Sequence, residues 1–240
     1  MTDFEAIIYE KKDNIALVTL NRPAVLNAYN IRMRDELYQV LGAIGADASV
    51  HAAVFRGAGE KAFCAGADLS EFLSAPSPVV ARQVRFQRDV WWRFLTINKP
   101  LIAALHGFVF GSGVEIALCC DLRLASTDVQ FGLPEPRLGI IPAAGGSQTL
   151  PRAIGAPRAL EILLSGRRVS ADEAARIGLV NRVVARENLI PEALALAVKI
   201  AAFPPAAVGA AKEAVTRGFD LGLAAGLALE ARLARSVAGG

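Results

Sequence analysis

Hydrophobic and polar positions along this chain follow two successive rhythms. Through Phe131, short β-rich runs alternate with loops and single helices; beyond Gly145-Gly146, longer Ala-, Leu- and Arg-rich segments take over. Ala6 to Tyr9 and Ile15 to Leu20 read as strands joined by the polar tetrad Lys11-Lys12-Asp13-Asn14, which predicts a hairpin. Asn30 is placed to cap a helix whose apolar stripe is Met33, Leu37, Val40, Leu41 and Ile44, with Arg32, Arg34, Asp35 and Glu36 on other faces. Ala52 to Phe55 is a short buried strand ending at Gly57 and Gly59, followed by the loop Phe63 to Asp68. Residues 70 to 80 carry Ser and Pro and predict a mobile stretch, and Val84 to Ile97 predicts one long helix stopped by Lys99-Pro100.

The run from Leu101 to Glu135 holds the densest candidate chemistry. Leu101 to Leu105 predicts a buried strand, and the turn Gly111-Ser112-Gly113 leads into the apolar helix VEIALCC, which contains a single carboxylate, Glu115. A charge in that setting is costly without a task or a partner. Leu122 to Ala125 and Gln130 to Phe131 predict two more strands, and Glu135 follows between Pro134 and Pro136, presented from a stiff loop. Further on, Arg158 to Leu164, Ala171 to Ile177, Pro191 to Ala202, Ala206 to Arg217 and Leu221 to Ala234 predict helices, with only Val180 to Val184 extended. The shift places a boundary near residue 185, dividing an α/β body (1–185) from a helical region (186–240) whose apolar faces need a neighbour.

Composition narrows the function classes. With 53% hydrophobic residues among 240, the chain can bury a substantial core. Its 26 basic and 23 acidic residues leave a net charge of +3 with no long like-charge run, which argues against nucleic-acid binding and only mildly favours an anionic small molecule. Cys64, Cys119 and Cys120 lack metal or disulfide spacing and read as reduced core thiols, while His51 and His106 have no matching metal or triad partners, so no metal site is expected. The first residues lack the apolar core of an export signal and no run is long enough for a membrane span, so a cytoplasmic protein is expected.

Two small-residue corners could each offer main-chain N–H groups to an anion. Cys64-Ala65-Gly66-Ala67-Asp68-Leu69 leads from a strand toward a helix expected to begin near Ala67 or Asp68, and Gly111-Ser112-Gly113 does the same before Glu115. Each reads equally as an ordinary turn with Asp68 as an N-cap or with glycines for close packing. Together they matter more, because converging donors can each stabilise a developing oxyanion by about 3 kcal/mol.

The combination of TLNRPAVLNAYN, FCAGADL, HGFVFGSGVEIALCCDLRLAS, FGLPEPRLGIIPAAGGSQTLPRAIG and SGRRVSADEAARIGLVNRVV resembles the enoyl-CoA hydratase/isomerase, or crotonase, superfamily over nearly the whole chain. That resemblance implies an α/β fold built as a spiral of repeated ββα units, followed by C-terminal helices that assemble homotrimers, commonly doubled to hexamers. It implies an acyl-CoA thioester substrate, with coenzyme A entering as part of the substrate and no separate cofactor, and a thioester oxygen held by the N–H groups of Ala67 and Ser112. Leu26, Ala65, Gly66, Asp68, Leu69 and Gly111 are the further expected substrate contacts. Glu115 and Glu135 match the two glutamates of hydratases, Glu115 activating water and Glu135 delivering a proton to Cα; their mutual repulsion is expected to raise one carboxyl's pKa. Other reactions of the superfamily (double-bond isomerisation, carnitinyl-CoA-type dehydration, cyclic dienoyl-CoA hydration) and a non-catalytic RNA-binding role are the alternatives.

Several positions depart from the family pattern. Ser112 stands where glycine is usual, Ser70 where a lysine commonly meets phosphate, leaving Arg22 as a candidate phosphate contact, and Pro136 and Ala143 replace a β-branched residue and a glycine. The resemblance also implies a further helix beyond the final Ser236 to Gly240, which helps close the acyl pocket.

Overall fold

A computed structural model describes residues 4–71 and 87–239. The expected mobile stretch therefore lies almost wholly outside the described residues. The chain opens with β1 (Ile7–Lys12) and β2 (Ile15–Leu20), paired antiparallel with Lys12 opposite Ile15, so the connection is the two-residue turn Asp13-Asn14. Asp13 takes the left-handed conformation that such a turn demands (φ 52°). The two lysines expected in the turn instead extend β1, which is the sheet's edge, where exposed charge discourages pairing with another chain.

Helix α1 (Ile31–Ala46) begins where the sequence places it: the Met33 N–H donates to the side chain of Asn30 at 2.9 Å, and the expected apolar stripe is buried. Glu36, read as surface charge, is buried too. Its carboxylate accepts the N–H groups of Glu5, Ala6 and Ile7 at 2.8 to 3.1 Å, tying α1 to the start of β1.

Two sheets alternate along the chain. The long strands β3 (Ala52–Gly57), β5 (Leu101–Leu105), β7 (Leu122–Ser126) and β10 (Arg182–Val184) extend the first into the order β1-β2-β3-β5-β7-β10, all parallel beyond the hairpin. Each of β3, β5 and β7 is followed by a short strand of the second sheet: β4 (Ala62–Cys64), β6 (Phe108–Phe110) and β8 (Gln130–Gly132), with β9 (Val169–Ser170) at its edge. This is the expected spiral of repeated units, although β4, β6 and β9 escape the sequence reading because strands of two or three residues carry no periodicity.

Helix α2 (Val90–Thr96) is shorter than expected, since the Asp89 side chain accepts the Trp92 N–H and sets a new N-terminus inside the predicted 84–97 helix; residues 84–86 of that reading lie outside the described residues. Helix α3 (Ser112–Cys119) follows β6, α4 (Gly146–Ile154) and α5 (Ala156–Ser165) follow β8, and α6 (Ala171–Arg176) follows β9. Of these, α4 was not expected. Helix α7 (Leu189–Ala201) buries Leu189, Ala193 and Ala197 against Ile15, Val54, Ile102 and Leu124 on one face of the first sheet, while the main core fills the other. Helices α8 (Pro205–Gly218) and α9 (Leu223–Ala238) pack on each other and leave Val215, Phe219, Leu223 and Leu227 exposed.

Helix α3 can sit over the end of β4 only because residue 113 has no side chain. A Cβ there would lie 2.2 Å from the Cys64 carbonyl oxygen and 3.0 Å from its Cβ. Gly113→Ala is expected to lower the stability by about 3 kcal/mol in urea denaturation, as α3 is forced away from β4; a midpoint equal to that of the parent would show that the contact yields easily.

Candidate active site

The strands β4, β6 and β8 are parallel neighbours, with Cys64 opposite Val109, Val109 opposite Phe131 and Phe110 opposite Gly132. Their C-terminal ends therefore lie side by side, about 5 Å apart. Each sequence-predicted group of the reaction sits within five residues of one of these ends: Ala67 after β4, Ser112 and Glu115 after β6, Glu135 after β8. Crevices outside the carboxyl ends of parallel strands are where α/β folds bind ligands.

The corner after β4 bends at Gly66 (φ 108°), bridges in parallel to Tyr29 at Ala67, and leads into a 3-10 turn at Leu69–Glu71, one residue past the expected helix start. The Tyr29 N–H donates to the Gly66 carbonyl at 2.8 Å and the Asp68 N–H to the Tyr29 carbonyl at 2.8 Å. Successive peptide groups alternate in direction, so the Ala67 N–H points to the opposite side and meets no protein acceptor among the described residues. Asp68 caps that turn as expected: its carboxylate accepts the Ser70 N–H at 3.2 Å and the Ser70 hydroxyl at 2.7 Å and pairs with Arg22 at 2.8 Å, and these contacts hold its pKa below the ordinary range. The same Nη1 of Arg22 donates to the Ala28 carbonyl, which turns the candidate phosphate contact inward.

The second donor comes from the start of α3. Gly111 adopts a left-handed φ of 49° and accepts the N–H groups of Val114 and Glu115, leaving the Ser112 N–H among the first-turn donors that no helical carbonyl satisfies. Glu115, one turn along, is 2% exposed, and its burial has a definite compensation. Its Oε1 accepts the main-chain N–H groups of Ala144 at 2.8 Å and Gly146 at 2.9 Å, where α4 begins. Two such donors suit a negatively charged oxygen.

Glu135 meets the opposite environment. It opens a 3-10 turn, Glu135–Leu138, which Pro136 tolerates because a first turn needs no N–H from it. The stiff loop expected from Pro-Glu-Pro is thus one tight turn. Its Oε2 is buried with no hydrogen-bond partner among the described residues, and burial raises its pKa. The expected shift of one acid is present, but desolvation is its leading cause rather than repulsion between the pair. A Cβ at Gly111 would stand 2.9 Å from Glu135 Oε1, which places this carboxyl directly beside the α3 corner.

Ala67, Ser112, Glu115 and Glu135 all line one cavity of about 730 Å³. Among the described residues its remaining wall is Tyr29, Arg34, Arg88, Asp89, Val90 and Trp91 on one side and Gly139 to Ala144 on the other. Leu26, Ala65, Gly66, Asp68, Leu69 and Gly111 belong to the adjoining corners and are not among its wall residues; Leu26 accepts the Ala65 N–H at 3.0 Å, and Leu69 is exposed. Sequence reasoning missed Tyr29, Trp91 and the amides that hold Glu115. Only Ala143-Ala144-Gly145-Gly146 gave a signal, as small residues that let main chain approach a ligand or side chain. His106 donates its Nε2–H to the Gly59 carbonyl at 3.1 Å, away from this cavity, and burial lowers its pKa to about 4.

Residues 10–238 match the family model described as enoyl-CoA hydratase/isomerase. The chain is 42% identical to the short-chain-enoyl-CoA hydratase of Clostridium acetobutylicum, over 93% of this chain and 86% of that protein. It is 38% identical to the crotonyl-CoA hydratase of Syntrophomonas wolfei, over 95% and 88%. The crystal structure of an enoyl-CoA hydratase from Bacillus anthracis superposes with a TM-score of 0.93 at 38% identity, covering 98% of this chain and 92% of that one.

The raised pKa of Glu135 has a consequence for stability. The folded state holds its proton to higher pH than the unfolded state does, so this group's contribution falls as pH rises from the ordinary glutamate value of 4.5 through the folded value. Glu135→Gln removes that dependence. Its melting temperature is expected to gain on the wild type as pH is raised from about 4 to 7, and a difference that stays constant across that range would contradict the desolvation of Glu135.

Proposed function

The chain belongs to the enoyl-CoA hydratase/isomerase family, and on that premise we propose how it acts as an enoyl-CoA hydratase. Water adds reversibly across the C2–C3 double bond of a 2-enoyl-CoA to give the 3-hydroxyacyl-CoA. The ionised Glu115 takes a proton from water as its oxygen bonds to Cβ, and the electron pair of the double bond moves through Cα toward the thioester oxygen. The Ala67 and Ser112 N–H groups receive the resulting negative charge. Glu135, protonated, then gives its proton to Cα, and proton exchange through solvent returns both acids to their starting states.

The observation that carries this reading is the sharing of one cavity by both acids and both uncommitted donors. The environments support the division of labour: two main-chain N–H groups donate to Glu115 Oε1, and Glu135 is desolvated toward its neutral form. One hydroxymethyl group, that of Ser112, enters the wall where relatives commonly have glycine, narrowing the thioester side.

The coenzyme A portion enters as part of the substrate, with no separate cofactor, and runs past Leu26, Ala65, Gly66, Asp68, Leu69 and Gly111. The exposed apolar residues of α8 and α9 support assembly into a homotrimer or a homohexamer. Among the described residues no single helix is long and apolar enough to cross a membrane, which fits a cytoplasmic enzyme.

With crotonyl-CoA, loss of the conjugated thioester absorbance reports hydration. Glu115→Gln and Glu135→Gln are each expected to lower kcat about 10³-fold while the folded state survives. Activity close to wild type in both variants would defeat the assignment.

A further inference from the structure

The cavity wall includes a phenol that the hydration chemistry does not use. Tyr29 lies in its wall, and the phenolic oxygen is buried without a hydrogen-bond partner among the described residues. Buried hydroxyls are nearly always paired, so an orphan of this kind asks for an explanation. Burial also raises its pKa well above the ordinary tyrosine value, so the group stays a neutral O–H, able to donate one hydrogen bond and accept others.

Its position is fixed rather than incidental. The backbone of Tyr29 is bridged to the segment that carries Ala67, through the bonds to Gly66 and Asp68, so the phenol is held in a set relation to one donor for the thioester oxygen. Its ring leans on Trp91, another wall residue, at 5.5 Å between centroids and 41° between planes. The charged groups of that wall are engaged: Arg34 and Arg88 both pair with Asp35, and Asp89 caps α2. Val90, Ile140, Ile141 and Pro142 supply apolar surface around them.

An apolar acyl chain would leave this hydroxyl unpaired in the complex as well as in the free protein. We propose that Tyr29 is a specificity residue that hydrogen-bonds an oxygen on the acyl chain, so that the favoured substrates carry a hydroxyl or carbonyl group beyond the double bond. This inference rests on the reading of the cavity as an acyl-CoA site. A site built to pair with a substrate oxygen discriminates against the analogue that lacks it, because the protein group is then left without a partner.

Calorimetric titration with two saturated thioesters, hexanoyl-CoA and 5-hydroxyhexanoyl-CoA, tests the contact without depending on turnover. The wild type is expected to bind the hydroxylated ester about tenfold more tightly than the plain one. Tyr29→Phe keeps the ring and its contact with Trp91, and it should abolish that preference while melting no lower than the wild type, since it removes an unpaired buried group. An affinity ratio that is the same in both proteins, or a melting temperature several degrees lower in the variant, would overturn the inference and identify the phenol as a partner of an ordered structural water. Failure of both thioesters to bind the wild type would instead overturn the acyl-CoA reading itself, and the inference with it.

Discussion

The parallel pairing of β4, β6 and β8 is the constraint on which the site depends, because it brings together three chain segments separated by up to seventy positions in sequence. The strands are too short to hold themselves by hydrogen bonds alone. Each is anchored by a side chain in the main core, Phe63 from β4, Val109 from β6 and Phe131 from β8, all almost fully buried. Burial of each such side chain is worth roughly 2 kcal/mol. The register follows from these anchors, and the exits of the three strands follow from the register. Gly111 and Gly113 then let α3 descend onto the end of β4, so that the donors of two different corners open onto the same space.

Within that space the same residue type occurs twice in opposite electrostatic settings. Glu115 sits deeper, yet it is compensated by main-chain amides at the start of α4. Glu135 is nearer the surface, yet its buried Oε2 has no hydrogen-bond partner among the described residues. Depth alone would have ranked them the other way. What separates the two is the supply of hydrogen-bond donors: two main-chain N–H groups reach Glu115 at the start of α4, while Glu135 Oε2 receives none among the described residues.

Much of this was legible in the sequence. Alternating β-rich runs and glycine corners gave the long strands, Asn30 gave the start of α1, and an isolated carboxylate in VEIALCC marked Glu115 because an apolar helix does not carry a charge idly. Of the second sheet only β8 was legible: β4, β6 and β9 are two or three residues long, and their pairing is a tertiary fact. Glu36 was misread because its partners, the N–H groups of residues 5 to 7, are supplied by a distant strand start. The helix expected near Ala67 or Asp68 begins later for a related reason, as a 3-10 turn at Leu69, because the bridge between Ala67 and Tyr29 holds the chain before it. Tyr29 itself carried no local signal; a tyrosine in a loop is ordinary until its hydroxyl is found buried and unpaired.

The central claim is that two corners and two acids form one reaction site around a thioester. A crystal structure with butanoyl-CoA bound measures this most directly. The account predicts the thioester oxygen about 3 Å from both the Ala67 and the Ser112 nitrogens, with the carboxyl groups of Glu115 and Glu135 flanking Cα and Cβ. A thioester oxygen that meets neither nitrogen, or an acyl chain seated away from both carboxyl groups, would contradict it.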